Sequence, residues 1–202
     1  MMIIGLAGSI GSGKSTVSAY LQSLGIPVFD SENAAKSAVT VKGSPCLQKI
    51  AKCLGPDSIL PNWELNRPWI MNNVFRNQEL LQQFEAILQE QVWNDMQRFL
   101  ATQKACGAKV AFLDLPLMIE RGLYRICNSI WLIAVPDELR IQRAILRDRH
   151  MGKESVIVRN KTQLSLSELK KYANVIIDNS QTFENTKAQI NEQLQKILVS
   201  QK

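Results

Sequence analysis

The chain holds a single histidine, His150, and its four cysteines, Cys46, Cys53, Cys106 and Cys127, lack C-x-x-C spacing. Cysteines without histidine company offer no zinc site, and free thiols of a reducing compartment are the expectation. No apolar run approaches the roughly 18 to 20 residues that a membrane span needs. No basic region stands ahead of a long apolar stretch and cleavage site at the N-terminus, so cytoplasmic residence is expected and secretion is not. Internal repeats and low-complexity linkers are also missing. What is there is 202 residues, 46% hydrophobic and 21% charged. That suits one domain with a sizeable core and an elaborated insertion.

The formal charge is +6, which calls for an anionic partner. The excess is local. Between Arg140 and Lys161 seven basic residues (140, 143, 147, 149, 153, 159, 161) face only Asp148 and Glu154, an excess of five. Single-strand nucleic-acid binders interleave such charges with aromatics, and this segment has none, so no nucleic-acid partner is expected. A basic flap over a polyphosphate, spanning 140–162, explains the same charges, with lone His150 facing solvent.

Five continuous apolar runs read as buried strands: Met2 to Ala7, "IPVF" ending at Asp30, "KVAFLDL", "SIWLIAV" and "NVIID". Helical stretches separate them, which predicts an α/β fold with a five-stranded parallel sheet covered on both faces. Lys14 to Leu24 is the first expected helix, with Gly25 as its C-terminal cap. Such sheets bind ligands beyond the carboxyl ends of their strands, here at Gly8, Asp30, Asp114 with Pro116, Pro136, and Asp178 with Asn179. The long interval 31–108 reads as a mainly helical insertion, placed to grip a second substrate.

Directly behind the first strand stands "GSIGSGKS", Gly8 to Ser15, which fits G-x-x-x-x-G-K-[ST]. Glycines at 8, 11 and 13 permit backbone angles that other residues resist and close approach to a ligand. Successive N–H groups, from Gly11, Ser12, Gly13, Lys14, Ser15 and Thr16, then face phosphate oxygens, aided by the positive end of the following helix. Lys14 reaches the β- and γ-phosphates, and Ser15 offers its hydroxyl to Mg2+. Handling a γ-phosphoryl also needs a carboxylate near the acceptor and cations for the developing charge. Asp30 and Glu32, two apart, point to one side if the second strand continues that far. Arg143 and Arg147, four apart, share a helical face ahead of a Gly-containing polar loop, as in a closing lid.

Taken in order, these pieces resemble the bacterial dephospho-coenzyme A kinases, small P-loop kinases that complete coenzyme A synthesis. "GLAGSIGSGKST" is similar to that family's opening and "VFDSENAAK" to its stretch with paired acids. "LNRPWIMNNVF" is similar to R-x-x-[LIV]-x-x-x-V-F, and "LDLPLMIERGL" to [DV]-x-P-L-L-x-E-x-x-L. "QRAILRD", the run Arg159 to Gln163 and "ANVIIDNS" resemble its arginine-bearing lid, R-x-x-x-Q and A-D-x-V-I-x-N. The resemblance implies a three-layer P-loop kinase using ATP and Mg2+ on the ribose 3′-hydroxyl of dephospho-coenzyme A. It implies catalytic roles for Lys14, Asp30, Glu32 and Arg147, with Arg143 and Asn179 at the nucleotide. It places Asp30, Lys36, Arg67, Phe75, Pro116, Leu117 and Glu120 at the acceptor. A monomer or weak homo-oligomer, without membrane contact, is the expected working form. The chain departs from the family pattern at Glu32, Lys36, Gln89-Glu90 and Asn174, positions that bear on turnover more than on fold or ATP binding.

Three other readings remain beside it: a P-loop kinase for another small anionic acceptor, a non-catalytic nucleotide- or coenzyme A-binding relative, and a nucleic-acid-binding ATPase. "NKTQ", 160 to 163, resembles the guanine-reading N-K-x-D only superficially, because Gln163 lacks the carboxylate.

Overall fold

The computed structural model describes residues 1–147 and 152–200. In chain order the elements are β1 (Met2–Ala7), α1 (Lys14–Ser23), β2 (Val28–Asp30), α2 (Ser31–Thr40), α3 (Pro45–Leu54), α4 (Arg67–Trp69) and α5 (Gln78–Ala105). There follow β3 (Val110–Asp114), β4 (Ser129–Ala134), α6 (Asp137–Arg147), α7 (Gly152–Lys161), α8 (Leu166–Lys170), β5 (Val175–Asp178) and α9 (Phe183–Ser200). By internal contacts the chain divides into two units, one of Met1–Asp30 with Gln103–Lys202, the other of Ser31–Thr102.

The first unit carries a five-stranded sheet in the order β2-β3-β1-β4-β5, with all neighbours parallel. The apolar runs predict this sheet, because strands covered on both faces cannot alternate polar and apolar residues. β3 and β4 are buried along their whole length. Ile4, Leu6, Phe112, Trp131 and Ile133 form the core with Val17 and Leu21 of α1 and Ile190 of α9. Phe112 and Trp131 meet edge to face at 5.1 Å. Two asparagines start the strands in step. Asn128 accepts from Ile3 N at 2.7 Å, and Asn174 accepts from Ile130 N at 2.8 Å. Gly25, at φ +75°, ends α1 by donating its N–H to the Gln22 carbonyl.

The second unit is helical. Its core joins Leu47, Ile50 and Leu54 of α3 to Ile70, Val74 and Phe84. Ser44 caps α3 and Asn66 caps α4, each side chain accepting an N–H of the first turn. Between α4 and α5 the chain makes one π-helical turn, Ile70–Val74.

Candidate nucleotide and acceptor site

The loop Gly8 to Gly13 leaves β1 and enters α1 with positive φ at three glycines: +150° at Gly8, +77° at Gly11 and +91° at Gly13. A β-carbon at Gly11 would strike the carbonyl of Arg140, and one at Gly13 the side-chain amide of Asn179. Gly11 and Gly13 are therefore demanded by the protein's own packing. Lys14 Nζ donates to the Gly8 carbonyl at 2.6 Å across the loop. Unlike α3, α4 and α8, helix α1 has no side-chain cap, and no acid lies in its first turn. Its first turn thus brings no acid or cap of its own to the positive end of the helix, where a phosphate is favoured.

Distant residues brace the loop. Gln163 Oε1 accepts from Ile10 N at 2.8 Å, and its neighbour Leu164 donates its N–H to Glu120 Oε1 at 3.0 Å. Asn179 Nδ2 donates to the Ser12 carbonyl at 2.7 Å, while its Oδ1 accepts from Thr186 at 2.8 Å. Asn179 is among the residues that the family resemblance places at the nucleotide. Both ends of its side-chain amide are engaged within the protein, on the phosphate loop and on α9. Arg143 Nη1 donates to the Asn179 carbonyl at 2.8 Å. Arg140, which the charge excess groups with a basic flap, is buried, and it bonds Asp137 at 2.8 Å and Asn160 of α7 at 2.6 Å. Arg147 is exposed at the end of α6. His150, with Asp148, Arg149 and Met151, lies outside the described residues.

The carboxyl edge of the sheet supplies acids. Asp30 and Asp114 are register partners on β2 and β3. Asp114 is buried and accepts from Ser18 of α1 at 2.8 Å, so a carboxylate is tied to the helix that carries Ser15. The strand-end position of Asp114 is visible in the sequence; its link to α1 is not. The expected alternation of Asp30 and Glu32 fails for a simple reason. β2 ends at Asp30 and α2 starts at Ser31, which puts Glu32 in the first turn of a helix. After β3, Pro116 is exposed and Leu117 takes φ +52°, a costly angle for a bulky residue. Leu117, Met118 and Glu120 line a small cleft with Gly8, Lys14 and Gln163.

Among the described residues no group of three or more carboxylate, thiol or imidazole side chains could hold a metal ion. The oxygen donors here, the Ser15 hydroxyl and the strand-end carboxylates, suit a cation that brings most of its shell as phosphate and water, as Mg2+ does. Burial pushes the Cys46 and Cys127 thiols up to about 11, which leaves them protonated and inert near neutrality.

In the second unit Glu32 and Lys36 are exposed on α2, four apart and so on one face. Arg67 opens α4 and is exposed; Phe75, just past the π turn, is 53% exposed. None of the four belongs to that unit's core.

The family model described as dephospho-CoA kinase matches residues 2–185. The chain belongs to the dephospho-CoA kinase family. It is similar to the dephospho-CoA kinase of Bacillus licheniformis, 36% identical over 193 residues that cover 96% of this chain and 95% of the relative. It is 33% identical to that of Carboxydothermus hydrogenoformans, over 96% of this chain and 93% of the relative. A crystal structure from Thermus thermophilus, 30% identical, superposes with a TM-score of 0.75 over 96% of this chain and 97% of that one. The Campylobacter jejuni dephospho-CoA kinase, at 20% identity and TM-score 0.68 over 96% of each chain, shares the fold.

Membership in the dephospho-CoA kinase family makes the chain a kinase and implies ATP as phosphoryl donor. Two of its departures from the family pattern make polar contacts in the structure. Asn174 accepts from Ile130 N through its side-chain oxygen and donates its own N–H to the Ile130 carbonyl, and an aspartate oxygen at that position could accept the same bond. Glu90 pairs with Lys49 at 2.7 Å on an exposed surface, a contact worth about 0–1 kcal/mol. Nothing in the structure explains Lys36.

Proposed function

We propose that this chain transfers the γ-phosphoryl group of ATP to the ribose 3′-hydroxyl of dephospho-coenzyme A, giving coenzyme A and ADP. The observation that carries the proposal is the family match over residues 2–185, which includes the phosphate loop and its braces at Gln163 and Asn179. ATP supplies the activated phosphoryl group; the residues hold and polarise it. The amides from Gly11 to Thr16 receive phosphate oxygens at the uncapped start of α1. The Lys14 ammonium has three donors, so it can keep the Gly8 carbonyl and still meet phosphate oxygens. We assign Mg2+ to the Ser15 hydroxyl, with the phosphates and a strand-end carboxylate completing its shell.

Asp30 is given the acceptor hydroxyl, to orient it and take its proton, with Glu32 as the second acid of the pair. Arg143 and Arg147 neutralise charge that develops on the transferred group. Lys36, Arg67 and Phe75, and the turn residues Pro116, Leu117 and Glu120, are assigned to the remainder of the acceptor. Among the described residues no helix is long and apolar enough to cross a membrane. We place the reaction in the cytoplasm, carried out by a monomer or weak homo-oligomer without nucleic acid.

The test is acceptor dependence. Purified protein with MgATP should release ADP when dephospho-coenzyme A is added and stay near background with shikimate, gluconate or nucleoside monophosphates. Equal release with those acceptors would reassign the substrate. Tight ATP binding with no turnover on any acceptor would make the chain a binding protein.

A further inference from the structure

Thr186 stands near the start of α9, fully buried, and nothing in the sequence marks it for function. Its hydroxyl donates to Asn179 Oδ1 at 2.8 Å; the carbonyls of Asp178 and Thr182 are farther away, at 3.4 Å each. Asn179 in turn grips the phosphate loop, Nδ2 on the Ser12 carbonyl at 2.7 Å. The same amide fills the space beside Gly13, the residue from which α1 departs. A side-chain amide has one donating and one accepting end, and turning it over exchanges them. The Ser12 carbonyl can only accept, so the loop is held in just one of the two orientations. The Thr186 O–H, donating to the other end, selects that orientation. Ser12 has no second side-chain hold, since its own buried hydroxyl lacks a hydrogen-bond partner among the described residues.

We propose that Thr186 is a positioning residue for nucleotide binding, acting through Asn179 to keep the Ser12–Gly13 stretch of the loop in its phosphate-receiving shape. This rests on the reading that the loop binds ATP. Without the hydroxyl, the Asn179 oxygen is left buried and undonated, and the overturned amide would set oxygen against the Ser12 carbonyl.

Thr186→Val keeps the side-chain shape and removes the donor. The calorimetric Kd for ATP and the KM for ATP should each rise about tenfold, with the KM for dephospho-coenzyme A within about twofold of wild type. Thr186→Ser, which keeps the donor and loses a methyl group, should restore ATP affinity. An unchanged ATP Kd in Thr186→Val, whatever happens to its melting temperature, would overturn the proposal, as would a Thr186→Ser variant as weak as Thr186→Val. If Thr186→Val proves insoluble, Thr186→Ala is read by the same two constants against Thr186→Ser. Wild-type protein is the control that separates the two failures. Absent acceptor-dependent turnover there would sink the kinase assignment, while normal turnover with an unmoved Kd in the variant would sink only the role of Thr186.

Discussion

The phosphate loop and the expected acceptor residues are built in opposite ways. In the first unit the proposed binding groups are main-chain amides, and the loop that carries them is held by packing and hydrogen bonds: Gly11 against Arg140, Gly13 against Asn179, Ile10 on Gln163. In the second unit the helical core of Leu47, Ile50, Val74 and Phe84 leaves Glu32, Lys36, Arg67 and Phe75 outside it, exposed. Phosphate groups are the same on every nucleotide, so a rigid backbone cradle suits them and loses little entropy on binding. A larger acceptor is told from its rivals by side chains, which a core already satisfied by other residues leaves available.

Substitutions can break this contrast at either end. The largest effect belongs to Lys14→Ala, expected to lower kcat/KM about a thousandfold by removing a fixed cation from the phosphates. Steady-state kinetics checks it, and a loss of less than tenfold would mean the lysine is not at the reacting phosphate. Asp30→Asn should lower kcat about a hundredfold or more while calorimetric ATP affinity stays nearly constant. A fully active Asp30→Asn would remove that carboxylate from the reaction. Arg67→Ala should raise the KM for dephospho-coenzyme A about tenfold and leave the ATP Kd untouched, separating the two halves of the comparison. Equal weakening of both ligands would contradict it.

The smallest expected effect concerns the thiols. Cys53 and Cys106 are exposed and should be alkylated readily at pH 7.5, while Cys46 and Cys127 should resist until the protein unfolds. With folded pKa values of about 11 against an ordinary 9.0, these two groups favour the folded state while protonated. Their contribution is whole below pH 9 and is lost as pH rises from there toward 11. A melting temperature flat across that window would show the burial to be misjudged.

The sheet was legible because burial on both faces forces continuous apolar runs, and each of the five runs became a strand. The loop was legible because its demands are local: strand, glycines, lysine, helix. What stayed hidden depends on partners far along the chain. Asn179 lies 167 positions from the Ser12 carbonyl it holds, and Gln163 lies 153 from Ile10. No periodicity reports such pairs, so neither the Asn179 hold on the loop nor the Thr186 bond behind it shows in the sequence. The alternation of Asp30 and Glu32 does not occur, for the reverse reason. Two-residue alternation holds only while a strand lasts, and α2 begins one residue after β2 ends.

The most direct measurement is a crystal structure with Mg2+ and a non-hydrolysable ATP analogue. The phosphates should lie against the amides of Gly11 to Thr16, with Lys14 on the terminal phosphate and the Asn179 bond to Ser12 intact. Phosphates bound elsewhere, or a loop that must release Asn179 and rebuild before it accepts them, would contradict a cradle already set by the protein.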